Sequence, residues 1–409
     1  MKKHAALVLG LALLASPVLA APATGEPIKI GDINVGAKLG DYVIGYKNAT
    51  QMAIDEINAA GGINGRPLEI YHRDSNIDPA TAVKFAEELV SREKVHILIT
   101  CDSSADSLAI ANWSLHHKIP FINACSEADS TIWEGGNDYT FRTGQGGYMW
   151  ASAVLNEAEK IYGDKLKGKR WAIVAPNFEF GQSIVRVTKM LAEQHGLKPI
   201  WVDEQWPAFG KMESGATIAA MEHSKPDIIF NILFDTDVVK FVREGNKRGL
   251  FKNRIVIAPP VAVPDHIELL GKEMPSGWVS VGFPVDEIKD EGFLKFRKAF
   301  EAKFKEPIKF YTVTGYSTIQ AIAAALRQAG SPEPEKLRAA LETISYETPF
   351  GTSHFRKIDH QANTPFWVGV SGIKNGKGAL LNWHVENAAD HSPSDAWILE
   401  QRAKTAVAK

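Results

Sequence analysis

Only two cysteines, Cys101 and Cys125, occur in 409 residues, so the fold cannot rest on a disulfide framework and must rest on an apolar core. An excess of either charge is lacking too. Forty-six Lys and Arg stand against 48 Asp and Glu, a net charge of -2 with no basic run, which argues against nucleic acid as a partner. Beyond residue 20 no segment reaches the roughly 18 apolar residues that a membrane-spanning helix needs. Catalytic signatures are missing as well: there is no GxxxxGK[ST], HExxH, GxSxG or CxxC. The chain therefore reads as a non-enzyme without a cofactor or a metal.

What is present starts with residues 1–20. Lys2, Lys3 and His4 precede the apolar run Ala5 to Leu14, and "SPVLA" supplies small residues before a cut after Ala20, the layout of a cleaved secretory signal. No cysteine at the cut offers a lipid anchor. The chain is long for one hydrophobic core, and its composition, 45% hydrophobic and 23% charged, is that of a globular protein, so two domains are expected.

Strand and helix patterns alternate along it. "IKIGDINV" reads as a buried strand, and "NATQMAIDEINAAGG" as a helix with Ala49, Met52, Ala53, Ile57 and Ala60 on one face, stopped by Gly61 and Gly62. "RPLEIYHRD" is a strand, and Asp78 and Pro79 stand where an N-cap and first helical residue belong. Strand "VHILIT", a helix from about Ala105 to His117 and strand "IPFINA" continue the pattern. It restarts after about Tyr148: strand "KRWAIVAPN", helix Gln182 to His195, strand "KPIWVDEQW", helix Gly215 to His223, strand "PDIIFNILF", helix "TDVVKFVREGNKRG" and strand "NRIVIAPP". Strand-like "SGWVSVGFP", helices around Gly292 to Phe304 and Thr314 to Ala329, and the β-rich "PFWVGVSGIKNGKGALLNW" follow. Such alternation implies α/β lobes with doubly wound parallel sheets.

Two segments end alike, "VHILITCDSSADS" and "IPFINACSEADS". As neighbouring strands of one parallel sheet they would deliver both polar tails to the same carboxyl edge, where open α/β sheets bind ligands. Ser103, Ser104 or Asp106 can simply cap the next helix, yet a helix start with hydroxyls nearby also suits a polar ligand head. Cys101 and Cys125 fall within disulfide range if their side chains face each other, and otherwise are two small thiols. The glycine-rich "AAGGINGR" follows a helix, so it reads as a helix stop. "TGQGGYMW" reads as a crossover between lobes more readily than as an anion site. His116 and His117, adjacent on a helix, diverge by about 100° and read as a solvated end, not a metal pair.

"IKIGDINV", "NATQMAIDEINAAGGINGRPLEI", "RDSNIDPATAVKFAEELVSREKVHILI", "IPFINA", "YTFRTG", "WAIVAPNFEFGQS" and "GTSHFRKIDHQANTPFWVG" together resemble the periplasmic solute-binding proteins of branched-chain amino acid (Leu/Ile/Val-binding) ABC transporters. The resemblance spans essentially all of the chain after the signal. It implies a type I periplasmic binding fold: residues 27–144 and 261–363 form an N-terminal lobe, 145–260 and 364–409 a C-terminal lobe, joined by a multi-strand hinge. It also implies a monomer in the periplasm, capturing an amino-acid-like or otherwise amphipathic ligand and delivering it to inner-membrane permease subunits. A sensor partner of a receptor and a binder of aromatic or carboxylic compounds are the alternatives.

Carried over by position, the resemblance places ligand contacts on Ser103 and Ser104, on Cys125, Ser126 and Glu127, on the aromatic Phe180 and Phe234, and on Tyr42 in the first loop. Two departures stand out. Glu127 occupies the place of a threonine that helps hold a ligand carboxylate, and Pro260 that of the acid facing the ammonium. With no Lys or Arg in either strand end, and with Lys118 and Arg142 the nearest in sequence, Glu127 is expected to bond the ligand itself.

Overall fold

The computed structural model describes residues 23–36 and 38–407; the expected signal, residues 1–20, lies outside them. The first lobe runs β1 (Ile28–Asn34), α1 (Gly40–Ala59), β2 (Leu68–Asp74), α2 (Pro79–Glu88), β3 (Ile97–Cys101), α3 (Ser104–His117), β4 (Phe121–Asn123) and β5 (Thr140–Arg142). Its five strands pair in parallel in the order β2-β1-β3-β4-β5. Successive residues of a strand face opposite sides, and β3 shows the consequence. Ile97 and Ile99 join a core with α1 and the later helix α10 (Thr312–Ala329), whereas Leu98 joins one with Ile110 and Trp113 of α3. Asp78 caps α2 as expected, accepting from the Thr81 amide at 2.7 Å.

The second lobe runs α4 (Gly147–Tyr162), β6 (Arg170–Val174), α5 (Glu179–Gln194), β7 (Ile200–Gln205), α6 (Ser214–Ser224), β8 (Ile228–Asn231), α7 (Asp235–Arg248), β9 (Ile255–Ile257), α8 (Pro264–Leu270) and β10 (Val279–Gly282). Ile228 and Phe230 pack on the α4–α5 side, and Ile229 on the α6–α7 side. The chain then returns through α9 (Glu291–Phe304), α10, α11 (Pro334–Leu341) and the hairpin β11 (Ser345–Thr348) and β12 (Gly351–His354). It ends with β13 (Pro365–Lys374), β14 (Lys377–Asn387) and α12 (Asp395–Val407). The second sheet has the order β14-β13-β10-β9-β8-β6-β7, with β13 antiparallel to both β10 and β14.

Three expectations change. Residues 261–282 belong with the second lobe, not the first, because α8 packs on α7 and β10 pairs with β9 and β13; the return crossing follows β10. The expected crossover "TGQGGYMW" stops at Gly146, because "GYMWASAVLNEAEKIY" forms α4. Tyr42 lies in α1, not in a loop, since that helix begins at Gly40.

The crossover "TGQGG" is held so closely that it needs its glycines. A Cβ on Gly144 would stand 2.2 Å from the Ala124 carbonyl oxygen, and one on Gly146 would stand 2.1 Å from the Arg142 guanidinium. At the facing carboxyl edge, Cys101 and Cys125 are joined in a disulfide, their Cα atoms 4.7 Å apart. The side chains do face each other.

The disulfide closes a loop with a sequence separation of 24, for which chain-entropy arguments give about 3 kcal/mol. Cys101→Ser/Cys125→Ser is therefore expected to unfold at lower denaturant, by about 2–4 kcal/mol, measured by urea titration against the oxidised parent. An unchanged midpoint would mean that the unfolded chain gains no freedom when the bond is removed.

Candidate functional site

The carboxyl edges of the two sheets face each other across a cavity of about 320 Å³, within the range typical of small-molecule sites. From the first lobe come Val35, Leu39, Tyr42, the strand ends Cys101 to Asp106, Cys125 and Glu127. From the second come Phe178 and Phe180 after β6, Phe209 after β7, Phe234 after β8, and Pro260 and His266 after β9. Phe310 and Tyr311, just before α10, complete the wall.

Seven of the eight residues carried over from the resemblance line this cavity: Tyr42, Ser103, Ser104, Cys125, Glu127, Phe180 and Phe234. Ser126 does not. Its hydroxyl turns inward and donates to Asn123 Oδ1 at 2.7 Å, which fixes the turn after β4. Ser103 is the N-cap of α3 as well as a lining residue: its Oγ accepts from the Asp106 amide at 3.2 Å and donates to Asp106 Oδ1 at 2.8 Å. Ser104 Oγ accepts from the Ala128 amide at 3.4 Å and keeps its own proton to donate.

The apolar wall is aromatic. Phe209 and Phe234 stack with centroids 4.8 Å apart, Phe180 meets Phe234 at 5.4 Å, and Phe178 meets Phe180 at 5.8 Å. Phe178 and Phe234 stand at the N-caps of α5 and α7, so the same strand-to-helix turns that project polar residues from the first lobe project rings from the second.

Tyr42 spans the cleft. Its hydroxyl lies 2.6 Å from His266 Nε2. His266 Nδ1 is 2.6 Å from the Pro260 carbonyl, to which it can only donate, so Nε2 is the acceptor, taking the Tyr42 hydroxyl and also the Asp235 amide at 3.1 Å. Burial keeps this ring neutral, with its pKa lowered to about 4. Pro260 lines the cavity, and its carbonyl is taken by His266.

Glu127 is buried, 5% exposed, and lines the cavity. The Tyr311 hydroxyl donates to its Oε1, a protein partner that the sequence did not reveal. Burial lifts its pKa from 4.5 to about 8, although the Tyr311 bond and the nearby Arg142 oppose the rise. Arg142 itself is committed elsewhere: it pairs with Asp129 at 2.7 Å and touches Glu127 only at the backbone carbonyl.

Sequence reasoning missed Asp102, Phe178, Phe209, His266, Phe310 and Tyr311. Phe178 lay inside a quoted motif, two residues before Phe180, and was legible there. His266 and Tyr311 come from distant segments that only the fold brings in. Among the described residues no group of three His, Cys, Asp or Glu is placed to hold a metal ion.

With this geometry in view, the chain belongs to the periplasmic binding protein family, whose model matches residues 30–377. Across 350 residues it is 25% identical to a leucine-, isoleucine-, valine-, threonine- and alanine-binding protein of Pseudomonas aeruginosa, covering 86% of this chain and 88% of that one. In structure it is similar to a Brucella ovis protein with the same binding name in a closed conformation, at a TM-score of 0.77 and 19% identity, covering 90% of this chain and 97% of that one. It is also similar to an ABC-transporter solute-binding protein of Rhodopseudomonas palustris in complex with 3,4-dihydroxybenzoic acid. There the TM-score is 0.76 at 19% identity, over 88% of this chain and 98% of that one. The type I periplasmic binding fold is thereby established.

The raised Glu127 carboxyl has a measurable consequence. Its folded pKa, about 8, exceeds the ordinary 4.5, so the stability it contributes is full below about pH 4.5 and is lost as pH rises through 8. Glu127→Gln, neutral throughout, should remove that decline, which is at most about 1.4 kcal/mol per pH unit. Urea titrations of the ligand-free parent and variant at pH 5, 6.5 and 8 measure it. A parent–variant difference that does not move with pH would show Glu127 ionised in the fold.

Proposed function

We propose that this protein is the extracytoplasmic capture component of an ABC importer. It closes its two lobes on one small amphipathic molecule with a ring or flat apolar body and presents it to inner-membrane permease subunits, without chemical turnover. The observation that carries this reading is the cavity between the lobes, with four phenyl rings on the second-lobe side and a polar strand edge on the first-lobe side. Membership of the periplasmic binding family supports capture over catalysis, and so does the family's exported setting. The aromatic wall favours an aromatic body over a branched aliphatic side chain, because ring–ring contacts add about 0.5–1.5 kcal/mol to area burial. The names of the relatives, which cover both aliphatic amino acids and an aromatic acid, allow either.

A ligand that binds only the folded state raises the melting temperature, by the equivalent of about 2.7 kcal/mol at a hundredfold excess over Kd. Phenyl-bearing amines, acids and amides are expected to raise it, and leucine and valine to do so less. Phe209→Ala and Phe234→Ala should each weaken the best ligand about tenfold in calorimetry. Tight leucine binding that ignores both substitutions would defeat the aromatic reading.

A further inference from the structure

The first-lobe pole of the cavity is acidic and lacks a compensating cation. Asp102, Asp106 and Glu127 line it, and no Lys or Arg is among the described lining residues. Asp102 is 7% exposed and Asp106 fully buried; their carboxyl groups lie against each other, Ser75 bonds to Asp102, and Oδ2 of each lacks a further partner. An unpaired buried carboxylate oxygen is unfavourable unless something arrives to meet it.

Three of the amides at the start of α3 are taken, and those of Ser104 and Ala105 remain. The Ser103 amide donates to Asp102 Oδ1 at 2.6 Å, the Asp106 amide to Ser103 Oγ, and the Ser107 amide to the Ser103 carbonyl at 3.0 Å. Two carboxyl groups beside that helix start also offset its positive end. Opposite stand the rings of Phe178, Phe209 and Phe234, whose faces attract a cation and whose bulk accepts a flat body.

We infer that the ligand carries a cationic nitrogen head, a protonated amine or amidine, held among Asp102, Asp106 and Glu127, with an aromatic body among the phenyl rings. This rests on the reading of the cleft as the capture site and reverses the polarity expected of an aromatic-acid binder. Burial and the neighbouring Asp106 push the Asp102 carboxyl well above its usual range, and Glu127 is raised to about 8. The free pole therefore holds protons that an arriving cation displaces. The other charged or titratable groups around it are Tyr311, Tyr42, Asp129 and Arg142, with Asp235, Asp265 and neutral His266 behind the two tyrosines. A carboxylate ligand would need those protons retained, and more taken up.

Calorimetry on the folded, exported protein with benzamidine against isosteric benzoate, and benzylamine against neutral benzyl alcohol, tests the inference at pH 7. The cations are expected to bind at least tenfold tighter than benzoate. Titrations in two buffers of different ionisation enthalpy should show protons released on binding. Asp102→Asn and Asp106→Asn should each weaken benzylamine tenfold or more and change benzyl alcohol less than threefold, with ligand-free melting curves verifying the fold. If a variant does not fold, the matched ligands on the parent still decide. Tighter benzoate binding with proton uptake overturns the cationic head and leaves capture standing. Silence from every probe, against a well-folded sample, removes the capture reading and this inference together.

Discussion

The buried ion pair between Arg142 and Asp129 holds the two lobes in a defined relation to the cleft. Arg142 ends β5 where the chain first leaves the first lobe, and its side chain is 2% exposed. Its guanidinium reaches Asp129 and the carbonyls of Glu127 and Ala128, all on the loop after β4, and also Gln361 on the segment between β12 and β13, where the chain crosses back to the second lobe. Its own amide and carbonyl pair with His360 and Ala362 of that crossing. Asp129 in turn accepts from the Tyr148 amide at the start of α4. One side chain thereby gathers two interlobe crossings and the loop that carries Glu127. Breaking such a pair by removing one partner costs about 3–5 kcal/mol, because the other charge is left buried. The tight glycines of "TGQGG" follow from the same constraint, since the crossover must lie against the guanidinium that anchors it.

Given that anchor, the contrast between the two poles follows from topology. Parallel strands expose their carboxyl ends on one edge, and each lobe turns that edge to the cleft. In the first lobe the turns after β3 and β4 are polar and tied together by the disulfide. In the second, the turns after β6, β7 and β8 carry phenylalanines. The cleft is thus asymmetric although the lobes share a build.

Much of this was legible in the alternation of strands and helices, because period 2 and period 3.6 patterns reflect burial on one side. Where burial is all-round, the signal vanished. Met149 through Leu155 of α4 are all buried, so no stripe marks the helix, and the preceding glycines suggested a linker. The first turns of α1 were missed for a related reason. Gly45 looks like a break, but a Cβ there would stand 2.4 Å from Thr312 Oγ1, so the glycine permits the close packing of α1 on α10. Sheet membership of β10 was not legible, since a strand after a helix can join either lobe. In the site, the two polar strand ends stood out in their own sequence, although Asp102 was passed over there, whereas His266 and Tyr311 depend on contacts more than 180 positions away.

The distribution of satisfied and unsatisfied groups then bears on how closure couples to binding. Tyr42, His266 and the Asp235 amide satisfy one another across the cleft, and Tyr311 satisfies Glu127, without any ligand. Of these, only the Tyr42–His266 contact crosses between the lobes and favours them together, since Tyr311 and Glu127 both belong to the first lobe; neither bond discriminates among ligands. The unpartnered oxygens lie on the first lobe, at Asp102 and Asp106, and the ring faces lie on the second. A molecule that meets only one of these leaves the other uncompensated in a partly dehydrated space. Differential affinity for a closed state is what drives a hinge equilibrium, and on the function proposed above a ligand polar at one end and flat and apolar at the other, long enough to reach both edges at once, would supply it.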